Sequence, residues 1–147
     1  MEKLTEAEIV ENEINEKLKQ QNIPRYNLGN VRVDSDTLKL IHSIESKFPE
    51  MTKEFKKIMI SNYILFIKKQ SDYGPSNISM NTNLESKTDF KMAMMGLVTR
   101  MNDKMSRLIN LIFKNKESKN EPIYDSFRDI SNYGIIAMIV TNNKWAK

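Results

Sequence analysis

The chain has no cysteine and a single histidine, His42, among its 147 residues. Disulfides, thiolate metal sites and cysteine nucleophiles are excluded together, and an imidazole-built zinc site has almost nothing to draw on. His42 has no serine or cysteine nucleophile motif beside it, so it reads as a polar helix residue rather than a general base. Any metal would have to be held by oxygen ligands. Glycine and proline are scarce too, at 4 each, too few for a turn-dense β-sandwich. No apolar run approaches the roughly 18 to 20 residues needed to cross a bilayer. The opening MEKLTEAEIVENE is acidic and polar, where a secretory leader is basic and then apolar. There is no block of five or six consecutive basic residues, no RNA-binding aromatic signature and no helix-turn-helix pattern. The expectation is a cytoplasmic, all-α protein with neither a membrane nor a long nucleic acid as partner.

What is present is ordinary for a globular chain, with 39% apolar and 29% charged residues. The length fits one domain over 1–147, or one protomer of an assembly. A net charge of +4, from 23 basic and 19 acidic residues, makes anionic partners worth testing.

Helical periodicity recurs along the chain. Thr5-Glu6-Ala7-Glu8 has the form of a capping box, and Ile9, Val10, Ile14 and Leu18 follow at helical spacing to about Gln20. Pro24 and Gly29 break the pattern, so 22–36 reads as a linker whose Leu28, Val31 and Val33 form at most a short extended piece. Ser35 or Asp36 is the expected cap of a second helix carrying Leu38, Ile41, Ile44 and Phe48 and ending before Pro49. A third helix from near Thr52 bears Phe55, Ile58, Met59, Asn62, Phe66 and Ile67 on one side, with Ile60, Ile64 and Leu65 widening the apolar surface. It is expected to be central. The polar stretch Gly74 to Asp89 reads as a mobile loop ending in Thr88 or Asp89 as caps. A fourth helix is expected from Phe90 to Lys114, and a fifth from Glu121-Pro122 to Val140, proline suiting the first helical position. Residues 1–50 thus form a helical extension and linker, and 52–143 the core. Gly134 inside the last helix suggests close helix contact or ligand approach. Met92, Met94 and Met95 suit adaptable core or subunit-interface packing.

Two polar stripes stand out. Arg100, Asp103, Lys104 and Arg107 fall at i, i+3, i+4 and i+7 on the fourth helix, beside Leu97, Met101, Met105, Leu108 and Ile112. Glu121, Asp125, Asp129 and Asn132 fall at i, i+4, i+8 and i+11 on the fifth. A basic stripe opposite an acidic one is either an inter-helix salt-bridge ladder or a nucleotide site, in which cations hold phosphate and carboxylates hold a hard divalent ion. Spacing leaves both open.

Three segments carry a resemblance: FIKKQSDYGPSN (Phe66 to Asn77), GLVTRMNDKMSRLINL (Gly96 to Leu111) and EPIYDSFRDISNYGIIAMI (Glu121 to Ile139). Together, over about residues 55 to 140, they resemble the nucleotide-modification-associated domain 1 family, found in phages and bacteria and related by fold to nucleotide pyrophosphatases of the MazG and dimeric dUTPase type. The resemblance implies a four- to five-helix bundle with the nucleotide between helices, assembled as a dimer or tetramer. Lys69, Asp72, Tyr73, Gly74 and Ser76 match its turn, where glycine permits close backbone approach and an aromatic face stacks on a base. Arg100, Lys104 and Arg107 match its basic helix, and Asn132 and Tyr133 lie in its N-Y-G-I-I segment.

One departure bears on chemistry. The related pyrophosphatases hold magnesium with an E-x-x-E pair and an E-x-x-D pair, and this chain has RMNDK (Arg100 to Lys104) where the first would fall. Only Asp103 remains there. Water attack assisted by two metals needs several carboxylates at the phosphate, so the expectation is a phage-type protein that sequesters a small anionic nucleotide, such as a cyclic di- or oligonucleotide immune signal, with no cofactor. The alternative is a magnesium-dependent nucleoside triphosphate pyrophosphohydrolase or nucleotide-modification enzyme using Asp103, Glu121, Asp125 and Asp129. A further alternative is a helical interaction module.

Overall fold

The computed structural model describes residues 33–114 and 116–147. The expected capping box at Thr5, the first helix and the linker up to residue 32 lie outside the described residues. The chain divides into two compact units, Met1–Phe55 and Lys56–Lys147. Five α-helices and no strand occur among the described residues: α1 (Ser35–Lys47), α2 (Pro49–Tyr73), α3 (Ser76–Ser79), α4 (Lys87–Ile112) and α5 (Ile123–Thr141). The protein is all-α over this range.

In the first unit, α1 is capped by Asp34, whose carboxylate accepts from the Thr37 backbone N–H at 2.8 Å and from the Thr37 hydroxyl at 2.8 Å. The cap is thus one or two residues earlier than Ser35 or Asp36, because several adjacent polar residues qualify and backbone geometry selects among them. The Asp34 carboxyl is held below its ordinary value by that backbone hydrogen bond. Acidic Asp36 in the first turn and Lys47 in the last complement the helix dipole. Phe48 closes α1, donating its N–H to the Ile44 carbonyl at 2.8 Å, and α2 begins at Pro49, three residues before Thr52.

The second unit is built on the pairing of α4 with α5, with α3 packed on α4. Leu97 is completely buried at its centre, among Ile78, Ile136, Val140 and Trp145, with Phe66, Phe90, Met94 and Tyr133 packed around them. The Trp145 indole N–H donates to the Pro75 carbonyl at 3.0 Å, and its ring meets Phe66 edge-on at 6.2 Å between centroids. This bond satisfies the polar handle that a buried indole carries.

The expectation that the third helix is central does not hold for the described chain. Only Asn62 of α2 is buried, and Met59, Tyr63, Ile64 and Ile67 are exposed. Apolar periodicity marks which side of a helix wants cover without saying whether the same chain supplies it. The α2 terminus is a left-handed cap: Gly74 adopts φ +64 and donates its N–H to the Gln70 carbonyl at 2.9 Å. Beyond it the polar stretch carries the helical turn α3, closed by Met80 at φ 55, and the Thr82 hydroxyl donates to the Ser79 carbonyl at 2.7 Å. Ser86, rather than Thr88 or Asp89, caps α4 by accepting from the Asp89 N–H at 3.0 Å. Gly134 makes no close approach, since a Cβ built there meets nothing within 4 Å.

Candidate functional site

Three helices of the second unit each contribute one charged side chain to a common point. Polar bonds fix α2 against α5: Asn62 Nδ2 donates to Ser131 Oγ at 3.2 Å, and Arg128 donates to the Ser61 carbonyl and hydroxyl at 3.3 and 3.2 Å. Two turns beyond Asn62, Lys69 comes to α5 from the same side. On α4, Lys104 follows the buried Leu97 by seven residues and precedes the buried Leu108 by four, so its stem runs beside the packed face. On α5, Asp129 precedes the buried Asn132 and Ile136 by three and seven residues, which turns its carboxylate inward.

The result is a bridged cluster. Lys69 Nζ lies 3.0 Å from Asp129 Oδ1, and Lys104 Nζ lies 2.7 Å from Asp129 Oδ2. The Asp129 side chain is 14% exposed and that of Lys69 42% exposed. Burial alone would raise the Asp129 pKa; the hydrogen bonds from Lys104 and Lys69 outweigh it, and the carboxyl sits below its ordinary value. Lys104 is raised above its ordinary value, first by its hydrogen bond to Asp129 and further by the charges of Asp129 and Glu121 and by Tyr133. Glu121 Oε2 is 3.7 Å from Lys104 Nζ and is more than half exposed. A lysine ammonium has three N–H donors, so both keep capacity for further acceptors.

The remaining sequence-predicted binding residues fall in four groups. Tyr133 and Asn132 belong to the inward face of α5 beside this cluster, Asn132 buried and Tyr133 packed on the core. Tyr73, one turn after Lys69 on the same face of α2, leaves 65% of its surface open to solvent. Asp72 and Ser76 are exposed beside the Gly74 cap. The two arginines serve differently. Arg100 donates to the Asn77 carbonyl at 2.9 Å, holding the end of α3 on α4. Arg107 donates to the Pro122 carbonyl at 3.4 Å, to Ser118 Oγ at 3.3 Å, and to Ser126 Oγ and the Glu121 carbonyl. The guanidinium fork thereby ties the α4–α5 connection to α4.

Among the described residues no group of three or more His, Cys, Asp or Glu side chains could hold a metal ion. Asp103 is exposed on the outer edge of its stripe, and both oxygens of Asp129 already accept from lysine ammonium groups. Asp103, Glu121, Asp125 and Asp129 are thus not grouped as a set of metal ligands among the described residues.

Sequence spacing missed several residues that build the site: Ser126, completely buried under Arg107, and the Ser61–Arg128 and Trp145–Pro75 pairs, whose partners lie 67 and 70 positions apart. The available signal was limited to an arginine and a serine beside the apolar residues of α5, which names no partner.

Comparison with known families adds one match: residues 69–140 fit the model of a family described as nucleotide modification associated domain 1. No curated protein and no solved structure matches the chain.

Proposed function

Because residues 69–140 belong to the nucleotide modification associated domain 1 family, we propose that the Lys69–Asp129–Lys104 cluster is the phosphate-holding centre of a nucleotide site. The protein captures a small anionic nucleotide in the cytoplasm, as a homo-oligomer, and does not hydrolyse it. The observation that carries this reading is the convergence of two lysines from different helices on one carboxylate. Two ammonium groups held side by side, with unused donors, suit a ligand bearing more than one phosphate oxygen.

Each neighbour has a part in this arrangement. Asp129 holds the ammonium groups together before the ligand arrives, so less side-chain freedom is lost on binding. Glu121, exposed and at 3.7 Å, is the acceptor that a phosphate displaces from Lys104. Tyr73 offers an open ring one turn from Lys69, where a base can stack. Among the described residues no carboxylates are grouped to hold the metal-bound water that phosphoanhydride cleavage uses. The ligand class we favour is a cyclic di- or oligonucleotide signal, withheld from its effector in the manner of a phage-type antagonist.

The test is incubation with a panel of linear and cyclic nucleotides with and without magnesium, followed by heat denaturation and mass spectrometry of the released ligand. Intact recovery of a bound nucleotide is expected. Binding should fall about ten- to a hundredfold in Lys69→Ala and in Lys104→Ala, one charged hydrogen bond being worth about 1.5 to 3 kcal/mol. Recovery of altered nucleotide at catalytic rates overturns the sequestration reading, and unchanged affinity in both lysine variants removes the cluster from the site.

A further inference from the structure

Helix α4 is apolar on two sides. One side, with Ala93, Leu97 and Leu108, is buried. On the other, Met95, Val98, Asn102, Met105, Ile109 and Ile112 follow one another at alternating spacings of three and four, and all are exposed. The five apolar members range from 43% exposed at Ile112 to 65% at Met95. A lone helix surface facing water carries charge, but this one does not. The flanking exposed positions are Thr99, Ser106 and Phe113, and between Met95 and Ile112 the charges at Arg100, Asp103, Lys104 and Arg107 all fall off this face, which Lys91, one heptad before Val98, ends on its N-terminal side. The uncharged face runs for about 27 Å along the axis.

Alternating spacings of three and four are the a and d positions of a heptad seam, on which Met95, Asn102 and Ile109 are a positions and Val98, Met105 and Ile112 are d positions. We infer that this face of α4 is covered by the same face of a second copy of the chain, the two helices running parallel and in register across a twofold axis. Three observations select that occupant. The absence of charge leaves nothing for an acidic or basic partner to pair with. The exposed apolar side chains, with Phe113 at 78%, form one contiguous apolar strip of the kind that marks a protein interface. Asn102 is the lone polar residue of the seam, and in a parallel, in-register pair it meets its own counterpart and exchanges an amide hydrogen bond. In an antiparallel pair it would face Val98 or Met105 and lose its partners, at the cost of a buried unsatisfied amide. The small Thr99 and Ser106 beside the seam let the helices approach closely.

This seam stands apart from the lysine cluster, so its failure and that of the nucleotide reading are separable. The test is sedentation equilibrium on the full chain, together with single-cysteine cross-linking, for which a chain with no cysteine of its own is suited. The wild type should sediment as a dimer or a multiple of it. Met105→Asp should reduce that assembly, raising the dissociation constant at least a hundredfold with helix content unchanged, while Met59→Asp on α2 should leave the α4 pairing intact. Asn102→Cys should oxidise to a disulfide-linked dimer and Asp103→Cys, one position off the seam, should not. A monomeric wild type, or an assembly unaltered by Met105→Asp, overturns the interface. An assembled Asn102→Cys protein that fails to cross-link overturns the parallel register.

Discussion

Lys104 and Asp129 face each other from α4 and α5 at 2.7 Å, and the oxygen that Asp129 does not give to Lys104 accepts from Lys69 of α2 at 3.0 Å. One carboxylate therefore holds two ammonium groups from two other helices, and a third acceptor, Glu121, reaches Lys104 only at 3.7 Å.

The two ways of using this cluster predict opposite effects for Glu121→Gln. If phosphate takes the place of Glu121 on Lys104, removing the competing charge strengthens nucleotide binding by about two- to fivefold, the scale of an exposed ion pair. If Glu121 were a magnesium ligand, the same change would weaken it. Calorimetric titration of the variant with the best ligand of the panel, with and without magnesium, reads the sign.

Acid should act through Asp129. Its pKa is depressed in the folded protein from an ordinary 3.8, so its contribution to stability is complete above that value and is lost as the pH falls through the lower folded one. Lys104, raised from an ordinary 10.5, contributes fully below that value and loses its contribution only as the pH rises through the higher folded one. The cluster is therefore intact from about pH 4 to pH 10. Asp129→Asn should cost about 1 to 3 kcal/mol at pH 7, and the gap to the wild type should close well below pH 4. Urea unfolding midpoints at pH 7 and at acid pH measure it.

Arg107 should matter for stability. Its guanidinium holds Ser118, Glu121, Pro122 and Ser126, so Arg107→Ala leaves the buried Ser126 hydroxyl without its partner and frees the connection. A loss of about 2 to 3 kcal/mol is expected, with faster amide exchange between residues 118 and 126. Arg107→Lys should recover only part of it, because an ammonium cannot span the fork.

Gly134 gives the opposite sign. A Cβ there meets nothing within 4 Å, and the position is inside α5. Gly134→Ala should stabilise the protein by about 0.4 to 1 kcal/mol through the lower entropy of the unfolded chain. Thermal melts should show a midpoint a few degrees higher. A fall would mean that this side of α5 is covered by a partner.

How much of this could be read from the sequence depends on whether a feature is local. The helices α1, α4 and α5 follow from apolar residues at spacings of three and four, a property of each segment alone. Caps were displaced by one to three residues because Asp34, Ser35 and Asp36, or Ser86, Thr88 and Asp89, all carry suitable oxygens. Spacing placed Lys104 opposite an acidic stripe, and Asp129 does meet it. It could not show that Lys69 arrives at the same carboxylate, or that Arg100 and Arg107 donate to backbone carbonyls, since those partners lie 14 to 60 positions away along the chain. The breadth of apolar surface on α2 was legible, but not the fact that most of it is exposed, Met59, Tyr63, Ile64 and Ile67 among it.

The links from α2 to the rest of its unit are non-local. Ser61, Asn62 and Lys69 meet residues of α5 that lie 67, 69 and 60 positions away, whereas α4 and α5 are joined by a short connection and pack through buried aliphatic side chains. Closing a loop of some sixty residues costs configurational entropy before any of those bonds is made. The α4–α5 hairpin is thus the natural nucleus, and α2 docks onto it late. In native-state exchange the amides of α2 from Lys56 to Tyr73 should open in a lower-energy step than those of α4 and α5. A ligand held by Lys69 and Lys104 together would close that step, coupling occupancy of the cluster to the kinetic persistence of a whole helix.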